Sequence, residues 1–221
     1  MKIYIVFIIQ VLLTTFCLAA GSSIPRGYHV LKEISLTQGL GAEGTIQLLV
    51  DHRINEKTDL DTTPENARNG ILRLLGPNGS ETSRKLLKKP RVDIELMKGN
   101  VGHNIFLFVT EDWSIEFGSY NGPISALYTL KGNRLAEVKP KMAFMRSLKT
   151  EWKVKERGRG GLPEIFEVRC RPDFNSSIAD MKFKITYSHF LFDGARWKLR
   201  KREVPGFWES ESKFPSEELF P

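Results

Sequence analysis

The sequence predicts an all-β protein: an antiparallel β-sandwich or an open barrel of consecutive hairpins, with little helix. Three observations carry this expectation. Apolar residues recur at every second position far more often than at helical spacing. The alternating runs are short and separated by Gly, Asn and Pro, the residues that tight turns need. No segment sustains an apolar stripe at i, i+3, i+4 and i+7 over the length of a helix.

Taken in order, residues 1–19 read as a cleavable export signal. Lys2 supplies the positive start, Tyr4 to Leu13 are apolar apart from Gln10, and Cys17-Leu18-Ala19 offers small residues at the −3 and −1 positions of a cleavage site. The apolar run is shorter than the roughly 20 residues a membrane-spanning helix needs, and no second long apolar stretch follows. The expectation is therefore an exported chain, periplasmic or secreted, with no transmembrane segment once the signal is removed. Residues 20–221 then form one β-rich domain.

Alternation places strands at residues 45–50, 71–75, 92–96, 105–110, 113–117, 125–130, 134–138, 152–155, 165–170, 182–192 and 196–202. Thr63 before Pro64 is a helix-start signal, with room for no more than a turn or two at 64–69. Gly99-Asn100 is expected to close a two-residue hairpin that sets Ile94 opposite Ile105 and Val92 opposite Leu107. Lys131-Gly132-Asn133 joins the next pair of strands. Asp193-Gly194-Ala195 joins the last pair as a three-residue loop, with Phe192 facing Arg196, Leu191 facing Trp197 and His189 facing Leu199. Residues 157–163, Arg-Gly-Arg-Gly-Gly-Leu-Pro, are the most linker-like stretch. A division there would leave only three strands behind it, a marginal unit, so a flexible Gly/Arg loop within one domain is the expectation. The acidic end of the chain carries Trp208, Phe214 and Phe220, which should pin it to the body.

Composition excludes several classes. With 41% hydrophobic residues the chain can bury a real core, so it is not globally disordered. Once Cys17 leaves with the signal, Cys170 is the only cysteine, which rules out an intramolecular disulfide scaffold and a Cys-based zinc site. Alternation with Phe166 and Val168 puts that thiol on a buried strand face. The formal charge of +7, one less after loss of Lys2, favours anionic partners or simply maintains solubility. Asn78-Gly79-Ser80 and Asn175-Ser176-Ser177 fit the glycan acceptor pattern.

The last hairpin is the most informative constellation. In the three-residue-loop register, one face carries Phe183, Ile185, Tyr187, Leu191, Trp197 and Leu199. The other carries Lys182, Lys184, Lys198, Arg200 and Arg202, with Phe190 and Phe192 near the turn. A cationic sheet face edged by aromatic rings could bind an anionic polymer or glycan, but outward alternation of charge is what any half-exposed hairpin shows, and a solvated face whose lysines discourage aggregation is favoured. A second basic run spans residues 139–159. Nucleic acid is not expected, since no recognition motif for it is present.

Asp51, Asp59 and Asp61, with Asn55, Glu56 and Glu65, form the one candidate calcium loop. The spacing does not match an EF-hand and its turn glycine is absent, so a solvated acidic loop is favoured and no cofactor is expected. There is no His-Glu-x-x-His, no Gly-x-Ser-x-Gly and no phosphate-binding loop, and His29, His52, His103 and His189 are isolated in sequence. The reading is a non-catalytic exported β-domain that contacts an anionic envelope component or a protein partner. The alternative is a small secreted hydrolase or carbohydrate-active enzyme with a site assembled from loops. A pocket holding two carboxylates, or a His beside a hydroxyl and an acid, would favour the enzyme.

Overall fold

The computed structural model describes residues 22–36, 43–58, 62–97, 104–112, 122–157, 161–173 and 181–221. The signal, the 113–117 strand, the Gly99-Asn100 turn, His103, Asp59, Asp61 and the Asn175 sequon lie outside them. Among the described residues the fold is all-β: thirteen strands form three antiparallel sheets, with one 3-10 turn at Glu217–Leu219 and no closed barrel.

The first sheet is a meander of β1 (Tyr28–Leu36), β2 (Gly44–Asp51), β3 (Ile71–Leu75) and β4 (Glu81–Leu86). The middle sheet orders β5 (Val92–Leu96), β6 (Phe106–Asp112), β7 (Pro123–Lys131) and β8 (Arg134–Glu137), with β9 (Ala143–Met145) pairing the start of β7. The last sheet is a second meander of β10 (Thr150–Arg157), β11 (Leu162–Pro172), β12 (Phe183–Phe192) and β13 (Trp197–Pro205).

Residue parity explains how the sheets stack. Along β6, Leu107 and Val109 join Leu48, Leu72 and Tyr128 in a core between the first and middle sheets. Phe106 and Phe108 point the opposite way, to Leu127, Phe144, Phe190 and Trp197, in a core between the middle and last sheets. The middle sheet is thus buried on both faces, which is why Ile105-Phe106-Leu107-Phe108-Val109 is continuously apolar instead of alternating. The outer face of the last sheet carries Phe166, Val168, Cys170, Ile185 and Tyr187, and the chain after β13 covers it with Trp208, Phe214 and Phe220. The expected pinning of the tail and the burial of the Cys170 thiol are both seen. On the outer face of the first sheet, Arg73 is 2% exposed and the segment before β1 satisfies it. Its Nε donates to Gln47 (2.8 Å), and Nη1 to the Ser22 and Ser23 carbonyls (3.3 Å each).

Three strands escape the alternation pattern. In β1 a bulge between Val30 and Lys32 shifts the register, so apolar residues change face midway. β4 is a polar edge strand, Glu81-Thr82-Ser83-Arg84-Lys85-Leu86, whose Leu86 is exposed. β9 is only three residues long.

Two expected registers are corrected. In the β5–β6 pair, Ile94 lies opposite Val109 and Val92 opposite Glu111, not Ile105 and Leu107, so the connection is longer than two residues. In the last hairpin, Phe192 faces Trp197, Leu191 faces Lys198 and His189 faces Arg200, one residue away from the expected pairing. The cause is local. Asp193 Oδ1 accepts hydrogen bonds from the backbone N–H of Ala195 (3.0 Å) and Arg196 (2.9 Å), which draws Arg196 into a four-residue loop. The Arg196 N–H, followed by the Lys198 ammonium, holds the Asp193 carboxyl well below the usual carboxylate range. At 157–163, Arg157 pairs Leu162 across the Gly/Arg stretch, so that segment is a hairpin connection and a cut after Glu156 would separate paired strands.

Candidate functional site: the basic edge and basin of the last sheet

The corrected register redistributes the predicted site residues. Lys198, Arg200 and Arg202 stand on the outer side of β13, beside Leu191, His189 and Tyr187. Lys184 stands on the inner side, with Thr186 and Ser188, and Lys182 lies just before β12. A single cationic face therefore does not form. Phe190 and Phe192 are buried, at 7% and 2% exposure, in the core against the middle sheet. They cannot serve as exposed stacking rings, and that expectation is corrected: they pack on Phe144 and Phe106 (5.1 and 4.8 Å between centroids).

What remains accessible is β13 itself. As the edge of its sheet it presents Lys198, Arg200, Lys201 and Arg202, all exposed, on both of its sides. Lys198 pairs with Asp193 (2.9 Å). Among the described residues no carboxylate pairs with Arg200, Lys201 or Arg202.

The inner side of this sheet divides in two. Val154, Ile165, Phe190 and Leu199 form one cross-strand row, and most of it packs on the middle sheet. The next rows are polar. Trp152, Glu167, Ser188 and Lys201 align across the four strands, followed by Thr150, Arg169, Thr186 and Glu203, and then by Arg171 and Lys184. The segment Lys141-Met142-Ala143 entering β9 forms the opposite wall, and a basin of about 200 Å³ lies between. Sequence reasoning missed Glu167, Arg169, Arg171, Lys201 and Lys141 as a group, because only the register places them together.

Glu167 and Ser188 are each 2% exposed. Burial pushes the Glu167 carboxyl up from the ordinary glutamate value, against the opposing pull of Arg169. Arg169 Nη2 donates to Glu167 Oε1 and to the Ala143 carbonyl (2.9 Å), while its Nε is buried with no partner among the described residues. Thr186 Oγ1 donates to Glu203 (3.4 Å), and Lys184 pairs with Asp173 (3.2 Å).

Two other arrangements bear on chemistry. His189 has Nε2 3.0 Å from Glu164 Oε2 and Nδ1 3.0 Å from the Pro221 carbonyl, and it stacks on Phe166. An acid is present but no hydroxyl occupies either nitrogen, so the pair fastens the tail to the sheet. A cleft of about 410 Å³ opens between the first and middle sheets, lined by Leu31, Ile54, Val92 and Pro123 together with charged groups that include Glu56, Arg91, Asp93 and Asp112. Two of its carboxylates are engaged, Asp93 by Lys32 (2.9 Å) and Asp112 by Arg91 (2.9 Å). Asp51, proposed above as a calcium ligand, is fully buried and accepts hydrogen bonds from the Arg53 guanidinium and from the backbone N–H of Arg53 and Arg68. Its oxygens are committed to closing the loop after β2.

The chain matches no known family model, and no match to it is found among curated proteins or among solved structures.

Proposed function

We propose that this chain is an exported, non-catalytic binding module that holds an anionic component of the envelope or extracellular surface along β13. The observation that carries this reading is the exposed row of Lys198, Arg200, Lys201 and Arg202 on a sheet edge, three of them without a carboxylate partner among the described residues. From Lys198 to Arg202 the strand extends about 13 Å at roughly 3.3 Å per residue, a span suited to a few repeats of a polyanion or to a charged surface. The same charges keep the edge from pairing with another strand, so the contact is through side chains, not through backbone addition.

The test uses the mature protein on vesicles containing anionic lipid and on a sulfated polysaccharide column. Binding is expected to fade as salt rises, since exposed charges are screened over about 8–10 Å near physiological ionic strength. The triple variant Lys198→Gln, Arg200→Gln, Arg202→Gln should fold with a stability change of about 0.5 kcal/mol or less per site and lose most of that binding. A folded triple variant that binds both probes as the parent does would reduce the edge charge to a solubility feature.

A further inference from the structure

We infer that the inner basin of the last sheet is a site for a single oxyanion group, a phosphate or sulfate, held by Arg171, Lys201 and Lys141 over the hydroxyls of Ser188 and Thr186. It is a separate site from the outer band of β13, and only Lys201 is shared with that strand's exposed row.

Four cations, Lys141, Arg169, Arg171 and Lys201, line the basin against two carboxylates, Glu167 and Glu203. The imbalance sits in a concavity walled by Met142, Phe190 and Leu199, and such walls concentrate the field of the cations. Glu167 is engaged chiefly by Arg169, to which its buried carboxyl is bonded, with Lys201 and Arg171 adding a weaker pull against the upward push of burial. Lys141, Arg171 and Lys201 therefore face Glu203 as the remaining carboxylate of the lining. Arg169 brings a buried Nε with no protein acceptor among the described residues, and an anion oxygen is the acceptor that guanidinium groups bind best. Lys201 and Arg171 have no carboxylate partner within ion-pair distance among the described residues, while Lys141, itself exposed, meets the half-buried Glu137 (3.3 Å).

Size selects the ligand class. At about 200 Å³ the basin is smaller than the roughly 300–1,000 Å³ that encloses a drug-sized molecule. It takes an ion or the charged terminal group of something larger. The Ser188 hydroxyl beside these cations suits a tetrahedral oxyanion, which accepts hydrogen bonds from several directions at once, and the Thr186 hydroxyl can turn to it from its long bond to Glu203 (3.4 Å).

The experiment titrates the mature protein with inorganic phosphate and, separately, with a sulfated monosaccharide, by calorimetry and by amide chemical shifts. Saturable binding of at least one of them is expected, with shifts centred on Ser188, Thr186 and Arg169. Arg171→Gln with Lys141→Gln, both at exposed positions, should leave the fold intact and weaken that binding by about tenfold or more. The outer triple variant Lys198→Gln, Arg200→Gln, Arg202→Gln should bind the small anion as the parent does. If the basin pair binds unchanged while the outer triple loses the anion, the basin assignment is wrong and the β13 reading stands. Absence of saturable binding of either anion overturns the basin assignment as well, and the vesicle and polysaccharide results judge the β13 reading separately. Loss in the basin pair alone supports the basin assignment.

Discussion

Replacing Trp197 with Ala tests how the last hairpin is seated on the middle sheet. Trp197 is 5% exposed and lies against Phe106 of β6 (5.2 Å, nearly edge-on) and against Phe192 directly across the hairpin (5.4 Å). It joins the end of the last sheet to the middle sheet. A buried tryptophan removes roughly 150–250 Å² from water, and at about 25 cal/mol per Å² this is about 4–6 kcal/mol. Ring–ring geometry adds about 0.5–1.5 kcal/mol per pair. The indole N–H has no partner among the described residues, which subtracts on the order of 1–3 kcal/mol. The net expectation is a loss of about 4 kcal/mol, within the range of large-to-small core changes. Leu199 sits two residues further along β13 and is 37% exposed at the sheet edge, so Leu199→Ala should cost only about 1 kcal/mol. Urea denaturation followed by far-UV circular dichroism reads both. With a slope of about 2 kcal/mol per molar, the Trp197 variant should lose about 2 M in midpoint and the Leu199 variant about 0.5 M. Both registers set Trp197 and Leu199 on one face; they differ at Phe192, which the three-residue loop places on the exposed cationic face and the observed pairing buries against Phe106. Phe192→Ala should therefore cost about 3–5 kcal/mol as a core truncation, and a loss of about 0.5 kcal/mol or less would restore the three-residue register and refute the observed one.

Two further expectations concern buried carboxylates and are read by thermal unfolding across pH. The Arg53 guanidinium holds the Asp51 carboxyl well below the usual range, so its contribution is fully present above the unfolded value of about 4 and is lost as pH falls. Asp51→Ala should cost about 1–3 kcal/mol at neutral pH, because it leaves the backbone N–H groups of Arg53 and Arg68 without their acceptor, and this deficit should shrink in acid; a pH-independent deficit would count against it. For Glu167 the sign reverses. Burial raises its folded-state value, so its contribution is complete below about pH 4.3 and declines as pH rises through that raised value. Glu167→Gln should therefore gain on the parent as pH rises, and a constant difference between the two would contradict the assigned direction.

Much of the fold was legible because short apolar or alternating runs bounded by turn residues mark strands whether one face is buried or both. β3 and β5 are bounded as the alternation places them, at Ile71–Leu75 and Val92–Leu96, and β2, β6, β7, β8, β10, β11, β12 and β13 fall on predicted runs. The misses share a physical cause, since each breaks the link between alternation and strand. The bulge in β1 moves Val30 and Lys32 out of phase, and β4 is paired by backbone while none of its side chains is fully buried. The stacking of three sheets was not legible. It requires the two parities of β6 to face different cores, and a continuous apolar run does not say which residue faces which.

At the candidate site one residue of register carries most of the consequence, because a single step exchanges the two faces of a strand. Expected as coplanar, the cations of β12 and β13 instead divide. Lys184 joins Arg169, Arg171 and Lys201 inside, while Lys198, Arg200 and Arg202 remain outside. A signal for the correct pairing was present. Asp at the first loop position favours a side-chain-closed turn of four residues, and only that loop puts Phe190, Phe192 and Trp197 on one face, where three large rings share a core. The energetics of aromatic burial outweigh any preference of exposed lysines for a common face, since surface charge pairs contribute at most about 1 kcal/mol. The positive charge of this sheet is consequently wrapped around an edge, and an outer band and an inner basin can be altered independently of one another.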